Sequence, residues 1–489
     1  MKKNQMSYTG KLAELVSKTK YEDFPEEVTH QTKRLILDIL GCSLGAYSSE
    51  AGEIISRSAM AIGGEKGENT VIGSPHKTSC SAAAFANAEL AKVLDADDAF
   101  LNFTHLGGST VAASLAVSER VGASGKDLIT AVALGFEVSA RIGLSMPRGQ
   151  RLVGERSALA IEGVKTSDFN WHCIGASAAA SKLLNLNRDK IATAFGISGI
   201  NVPIFSSILF KGYSSFIPMT KYGCLGTNAM NGIIAAFLSE QGYTASQTIL
   251  DDPFGFWALM DIERMHPEYL SKGLGNKWWI RDVSYKIYPS CRVWHSALDA
   301  FYTILGKNNL TQDRIENVIV WLHPRFHGIF DLLSSDRAND GVSFQFCGPL
   351  NFSMAAFNIK PGPQWQAKER IENPKIKEFA KRVKLLPDPG FLMNVYDEIG
   401  NEPKPIKKLM GRVEVKTIDG MRFHDFREYA KGDPWHRSTR LSDAELIDKF
   451  RENATYALDS RQLDRVINQA YELDKVKNIR TFISLLVRR

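Results

Sequence analysis

Residues 94–110, LDADDAFLNFTHLGGST, govern how the rest of the chain is read. They place three carboxylates and a histidine between two apolar flanks, SCSAAAFANAELAKV at 79–93 and the apolar run 111–117, both with the composition of buried helices. A buried carboxylate is costly unless it is paired or hydrogen-bonded, so Asp95, Asp97 and Asp98 are not all casual core residues, and at least one should face a polar cavity. The run FTHLGGS at 103–109 reads as a turn that brings backbone and the His105 imidazole to that cavity, with Ser109 or Thr110 capping the next helix. A plainer reading stands beside it: a helix-end cluster in which an aspartate caps a neighbour and His105 is a satisfied core histidine.

Outward from this stretch, the chain to about residue 275 reads as helix after helix. Apolar residues recur at helical spacing in 11–18 and 26–47, for example Leu35, Ile36, Ile39 and Leu40. Ser124 with Asp127 forms a capping-box signal before LITAVALGFEVSARIGL, on which Glu137 and Arg141 are spaced to pair. The segments 175–184 (GASAAASKLL), 187–196 and 227–241 are rich in small residues and read as closely packed helices of a buried core. The texture then changes. Strands are expected at 283–288 and 315–322 with a helix at 295–305 between them, and a hairpin at 412–417 and 421–425 across Asp419 and Gly420. A helix at 375–384 and a proline-bearing stretch at 386–390 lie between. After Pro434 the pattern is helical again, at 442–457 and 462–486. The fold class is therefore mainly α with a smaller α/β domain: an all-helical domain at 1–275, an α/β domain at 276–433, and C-terminal helices at 434–489 that return to the first, since they would be marginal alone.

At 489 residues the chain exceeds what one core holds. A net charge of +6 over that length, with scattered basic residues, does not imply nucleic acid. The six cysteines lack CxxC spacing and read as reduced thiols. No secretory signal and no uninterrupted apolar run of about 18 residues is seen, so the expected place is the cytoplasm, without a membrane partner. Walker loops, the dinucleotide glycine pattern and the GxSxG elbow are absent, as are HExxH, paired cysteines and closely spaced histidines. No cofactor and no metal is expected.

Four islands carry ionisable groups in apolar or small-residue surroundings: the opening stretch, 166–172, 220–221 and 285–295. Lys221 either snorkels outward, the usual outcome for an isolated lysine, or points into a cavity. Lys286 alternates with Tyr285 and Ile287 in the strand expected to end at Pro289, and Cys291, Arg292 and His295 follow as a basic cluster at a strand-to-helix junction, where anions commonly bind. What remains is acid–base chemistry, with lysines holding carboxylates and a histidine or aspartate moving protons.

The blocks LDADD…H, SGKDLITAVALGFEVSARIG, GASAAASKLLNLNRDKIATAFGISG, TKYGCLGTNAMNG and YKIYPSCRVWHSALDA occur in an order that resembles the MmgE/PrpD family, as do VEVKTIDG, GDPW and ELIDKFRENA further on. That family includes 2-methylcitrate dehydratase, cis-aconitate decarboxylase and iminodisuccinate epimerase. The resemblance implies a large helical domain, an α/β lid, an active site in the cleft between them, a homodimer, and metal-free proton abstraction beside the carboxylate of a small-molecule substrate. Asp95, His105, Lys221 and Lys286 match the family's catalytic positions. Asp98, Ala99, Thr166, His172, Cys291, Arg292 and His327 are the further substrate-binding candidates. The chain departs from the family where Ala99 replaces a threonine, Leu106 a proline and Gly328 a tyrosine beside His327. Thr166 stands where the decarboxylase branch has a second histidine, with His172 nearby. The expected function is a dehydratase-type lyase of a di- or tricarboxylate or related acid, with Lys221 and Lys286 neutralising the substrate, His105 as acid or base, and Asp95 orienting it or sharing the proton. An epimerase or isomerase, a decarboxylase, and an inactive acid-binding or structural member are the alternatives.

Overall fold

The computed structural model describes residues 6–101, 104–146, 151–153, 160–162, 170–204, 217–222, 224–252, 254–260, 262, 265–324, 334–391 and 407–488. The helix Glu26–Tyr47 is central: Leu35, Ile36, Leu37, Leu40 and Leu44 are fully buried, and it packs on Cys80–Val93, Gly125–Ser145 and Asp443–Ala454. Tyr8–Lys18, Glu50–Gly63, Gly107–Val121, His172–Leu183, Arg188–Ile200 and Cys224–Glu240 pack into the same helical assembly. Small residues let these helices approach closely; a Cβ at Gly175 would lie 1.8 Å from Ser139 Oγ. The capping box of Ser124 and Asp127 forms, and Arg141 Nε donates to Glu137 at 2.6 Å. Among the described residues Gly125–Ser145 alone is long and apolar enough to cross a bilayer, and its apolar window is wholly buried within the fold.

Leu446, Phe450, Val466, Leu473, Phe482 and Leu486 share one apolar core with Leu12, Leu35, Leu128 and Ile174. The last segment is not the single helix expected at 462–486. It breaks after Ser460–Tyr471 because the backbone turns to pair elsewhere: Val476 O accepts from Gly125 N, and Ile479 N donates to Ala123 O.

A four-stranded sheet runs in the order Arg422–Arg427, Gly411–Thr417, Ile315–Leu322, Val383–Pro387; the first two pairings are antiparallel and the last parallel. The helix His295–Asn308 covers it. Gly420 has φ +85°, the left-handed geometry its hairpin turn needs. The helix expected at 375–384 is shorter, Pro374–Ala380, because Val383 already begins the parallel strand; Pro387 is tolerated at the end of that edge strand.

Among the described residues, the region read as purely helical also holds two ribbons, Asn69–Thr70 with Lys77–Thr78 and Arg151–Val153 with Ala160–Glu162, and one strand, Ala99–Phe100, that pairs outside it with Val283–Ser284. The last corrects the strand expected at 283–288. Pairing stops at Ser284 because Tyr285 N turns to Gly432 O at 3.1 Å, so Lys286 sits on non-strand backbone. A second core joins Cys42, Ala46, Leu90, Val93, Leu94 and Ala96 to Tyr288, Trp294, Val318 and Phe344. The end of Cys80–Val93 therefore lies where the helical and α/β parts meet.

Candidate active site

Asp95 follows that helix at φ +50°, a left-handed conformation uncommon for a residue with a side chain. Its Oδ1 is surrounded by three ammonium groups: Lys92 at 2.7 Å, Lys221 at 3.0 Å and Lys286 at 3.2 Å. Lys92 comes from the preceding helical turn, Lys221 from the short 3-10 turn Met219–Lys221, and Lys286 from the segment tied to Ala99 by the two-residue ribbon. All four are buried. Lys221 therefore does not snorkel. Burial alone would raise the Asp95 carboxyl, but Lys221, Lys286 and Lys92 outweigh it and hold it well below the usual carboxylate range. The same burial pushes Lys221 down to about 8 against the pull of Asp95, with Lys92 and Lys286 adding like charge, and it lowers Lys286 as well.

Asp97 links the cation cluster to the histidine. Its Oδ1 lies 3.3 Å from Lys92 Nζ and its Oδ2 3.3 Å from His105 Nδ1. Burial opposes its charge, but contacts with His105 and Lys92 bring it below the ordinary range. His105 is pushed down to about 4, by burial first and then by the nearby lysines, with Asp97 pulling the other way; the ring is neutral at pH 7. Its side chain keeps 13% exposure, more than Lys92, Asp95, Asp97, Lys221 or Lys286, so the imidazole is the group most open to an incoming molecule. The carboxylate beside His105 Nδ1 is thus that of Asp97, while Asp95, the residue expected to orient the imidazole or share its proton, faces the three lysines.

The remaining candidates divide. Asp98 Oδ1 accepts from Gly107 N at 2.9 Å, capping the helix Gly107–Val121, so neither Ser109 nor Thr110 is its cap; Ser109 Oγ donates to Leu225 O instead. Burial, and then Asp97 and Asp38, raise Asp98 well above the usual range, which favours its protonated form. Ala99 is buried in the ribbon against Ser284. His172 is buried, with Nε2 2.8 Å from Thr104 Oγ1, the residue before His105. Arg292 is buried, its NH2 paired with Asp433 and its NH1 3.2 Å from His295 Nδ1. Cys291 is half-buried, and its backbone N donates to Gln345 O. Thr166 and His327 lie outside the described residues.

Four residues escaped the sequence reading, whereas Asp97 was read only as one of three carboxylates. Lys92 was signalled only by its spacing from Asp95. Gln345 and Gln366 reach the site from the α/β part: Gln345 Oε1 accepts from Lys221 Nζ at 2.8 Å, and Gln366 Nε2 donates to Leu94 O at 2.7 Å. Lys449, in the ELIDKFRENA block, pairs with Asp38 and donates to Ala96 O at 2.6 Å, between the two site aspartates.

Residues 10–266 match the MmgE/PrpD N-terminal domain, and residues 288–473 match the MmgE/PrpD C-terminal domain. The chain belongs to the MmgE/PrpD family. The cis-aconitate decarboxylases of Mus musculus and Homo sapiens are each 24% identical to it over 98% of this chain, covering 93% and 94% of their own lengths. The cis-aconitate decarboxylase of Aspergillus terreus is 23% identical over 98% of this chain and 95% of its own. This MmgE/PrpD chain is thus similar along its whole length to enzymes. Among the described residues, no group of three or more His, Cys, Asp or Glu side chains is arranged to hold a metal ion.

Proposed function

We propose that this protein is a lyase that removes a proton beside a carboxylate of a small di- or tricarboxylic or related acid and expels water from the neighbouring carbon. The observation that carries the reading is the cradle of Lys92, Lys221 and Lys286 around Asp95, beside a neutral His105 held by Asp97. Three ammonium groups face two ionised carboxylates, Asp95 and Asp97, so the site favours an anion. His105 takes the proton from carbon as general base. The electron pair left behind spreads onto the substrate carboxylate, where Lys221 and Lys286 meet the growing charge. Collapse of that charge forms the carbon–carbon double bond, and the hydroxyl leaves as water with the proton His105 has taken.

A second reading, loss of carbon dioxide from such an acid, is favoured by the names of the relatives. There the carbon–carbon bond to the carboxyl breaks, its electron pair stays on carbon as carbon dioxide leaves, and that carbon takes a proton relayed from water through His105. Incubation with a panel of small di- and tricarboxylates in deuterated water, followed by proton NMR, separates the outcomes. New alkene signals without carbon loss mark dehydration, loss of a carboxyl marks decarboxylation, and deuterium exchange alone marks an epimerase. Binding of an acid with no reaction and no exchange across the panel would sink the enzymatic reading.

A further inference from the structure

Two side-chain amides from the α/β part converge on the end of the helix that leads into Asp95. Gln345 closes the short helix Gly341–Gln345 and is fully buried. Its Oε1 accepts from Lys221 Nζ at 2.8 Å; its Nε2 donates to Val93 O at 2.7 Å and lies 3.1 Å from Gln366 Oε1 and 3.2 Å from the Tyr222 hydroxyl. Gln366 Nε2 donates to Leu94 O at 2.7 Å and Pro289 O at 2.9 Å. Val93 and Leu94 are the two residues before Asp95, and carbonyls at a helix end lack partners within the helix. Asp95 itself is held in left-handed geometry, which persists only where its surroundings impose it.

We propose that Gln345 is a positioning residue that holds Lys221 and the backbone leading into Asp95 on one amide, keeping lysine and carboxylate in register only while the segment around 341–366 is docked. Gln366 completes the clamp by fixing the next carbonyl to Pro289. The inference rests on the reading of Lys221 and Asp95 as substrate-facing, yet the effect of the amide on Lys221 can be measured without turnover. The groups facing Lys221 are Asp95, the ammonium groups of Lys92 and Lys286, the Cys224 thiol, and the rings of Tyr222 and Phe346. Among them the amide oxygen adds a neutral acceptor that favours the ammonium form. Removing it should disfavour the charge, and a carboxylate in its place should favour it.

The test follows Lys221 Nζ by NMR of the full-length protein labelled with 15N-lysine, the resonance being assigned by its loss in Lys221→Met. Relative to the parent, Gln345→Leu should titrate about one pH unit lower and Gln345→Glu about one unit higher. Opposite signs are the signature, since a packing defect would not reverse with the charge of the replacement. If Gln345→Leu fails to fold, the sign in Gln345→Glu decides. Titration of Gln345→Glu at or below the parent value, or of a folded Gln345→Leu at or above it, would overturn the proposal. Full turnover by Lys221→Met would overturn the functional reading instead, a separate result.

Discussion

His105 Nδ1 lies 3.3 Å from Asp97 Oδ2, so the carboxylate nearest the imidazole stands two residues beyond the one that gathers the lysines. Asp95 gathers cations, and Asp97 faces the imidazole that the proposed reaction uses as its base. The LDADD run therefore splits two tasks between residues that one backbone stretch holds in place.

The split has kinetic consequences. His105→Asn keeps a similar volume but removes the titrating group, and turnover should fall about 10²- to 10⁴-fold with less effect on KM. Asp97→Asn should lower turnover less than His105→Asn does, by removing the charge beside the imidazole. The base works when neutral and Lys221 works as a cation, so kcat/KM should hold between limbs near pH 4 and pH 8. If His105→Asn turned over like the parent while His172→Asn was dead, proton transfer would belong to His172.

What was legible in the sequence was local. The bounds of Glu26–Tyr47, the Ser124–Asp127 box, the Glu137–Arg141 pair and the Asp419–Gly420 turn each follow from residues within a few positions of one another. Lys221 and Lys286 were placed by family resemblance, because nothing nearby says that they meet at Asp95. Lys92 was missed because one lysine in an alanine-rich helix looks like a solvent-facing charge. Gln345 and Gln366 were out of reach: their partners Val93 and Leu94 lie 252 and 272 residues away. The partner of Arg292 was equally out of reach, since Asp433 is 141 residues further on.

Lys92 should matter for folding more than its neighbours do. It bridges Asp95 and Asp97 at 1% exposure, so Lys92→Met leaves Asp97 without its ammonium partner and should cost about 3–5 kcal/mol in denaturant unfolding. Lys221→Met and Lys286→Met leave Asp95 still neutralised by Lys92; they should lose less stability and show a lowered kcat together with a raised KM. Equal losses in all three variants would show that the ammonium groups are interchangeable.

Glu89 gives stability a pH dependence of its own. Buried in Cys80–Val93 and accepting from Gly226 N at 2.7 Å, it is pushed by burial up to about 8 from an ordinary 4.5. The unfolded chain ionises near 4.5 while the folded chain holds the proton, so the contribution is complete below 4.5 and is lost as pH rises through 8. Glu89→Gln keeps an acceptor for Gly226 but does not titrate. It should exceed the parent in stability by about 3 kcal/mol at pH 7 and match it near pH 4. A pH-independent difference in denaturant midpoints would count against a protonated Glu89.

Turnover on the acid identified by the panel should survive exhaustive chelation, because lysines supply the positive charge that a metal would otherwise bring. Loss of activity in EDTA, with recovery on adding one divalent ion, would show that a metal shares the work.

The last prediction concerns Lys449, which brings the C-terminal helix Asp443–Ala454 to the site. Its ammonium pairs with Asp38 of Glu26–Tyr47 and donates to Ala96 O, inside the segment that separates Asp95 from Asp97. Burial raises the Asp38 carboxyl, Lys449 is the main influence that opposes it, and Asp97 adds further negative charge. Lys449→Met should therefore destabilise by about 3–5 kcal/mol, as expected when one partner of a buried pair is removed. Asp38→Asn combined with Lys449→Met should recover part of that loss, with a coupling of about 1–3 kcal/mol in a double-mutant cycle. The released Ala96 carbonyl adds a catalytic effect: far below its melting temperature, the double variant should still have a reduced kcat, because the turn between the two aspartates has lost its anchor. Additive stabilities and a parental kcat would mean that the C-terminal helix only covers the core and does not hold the site.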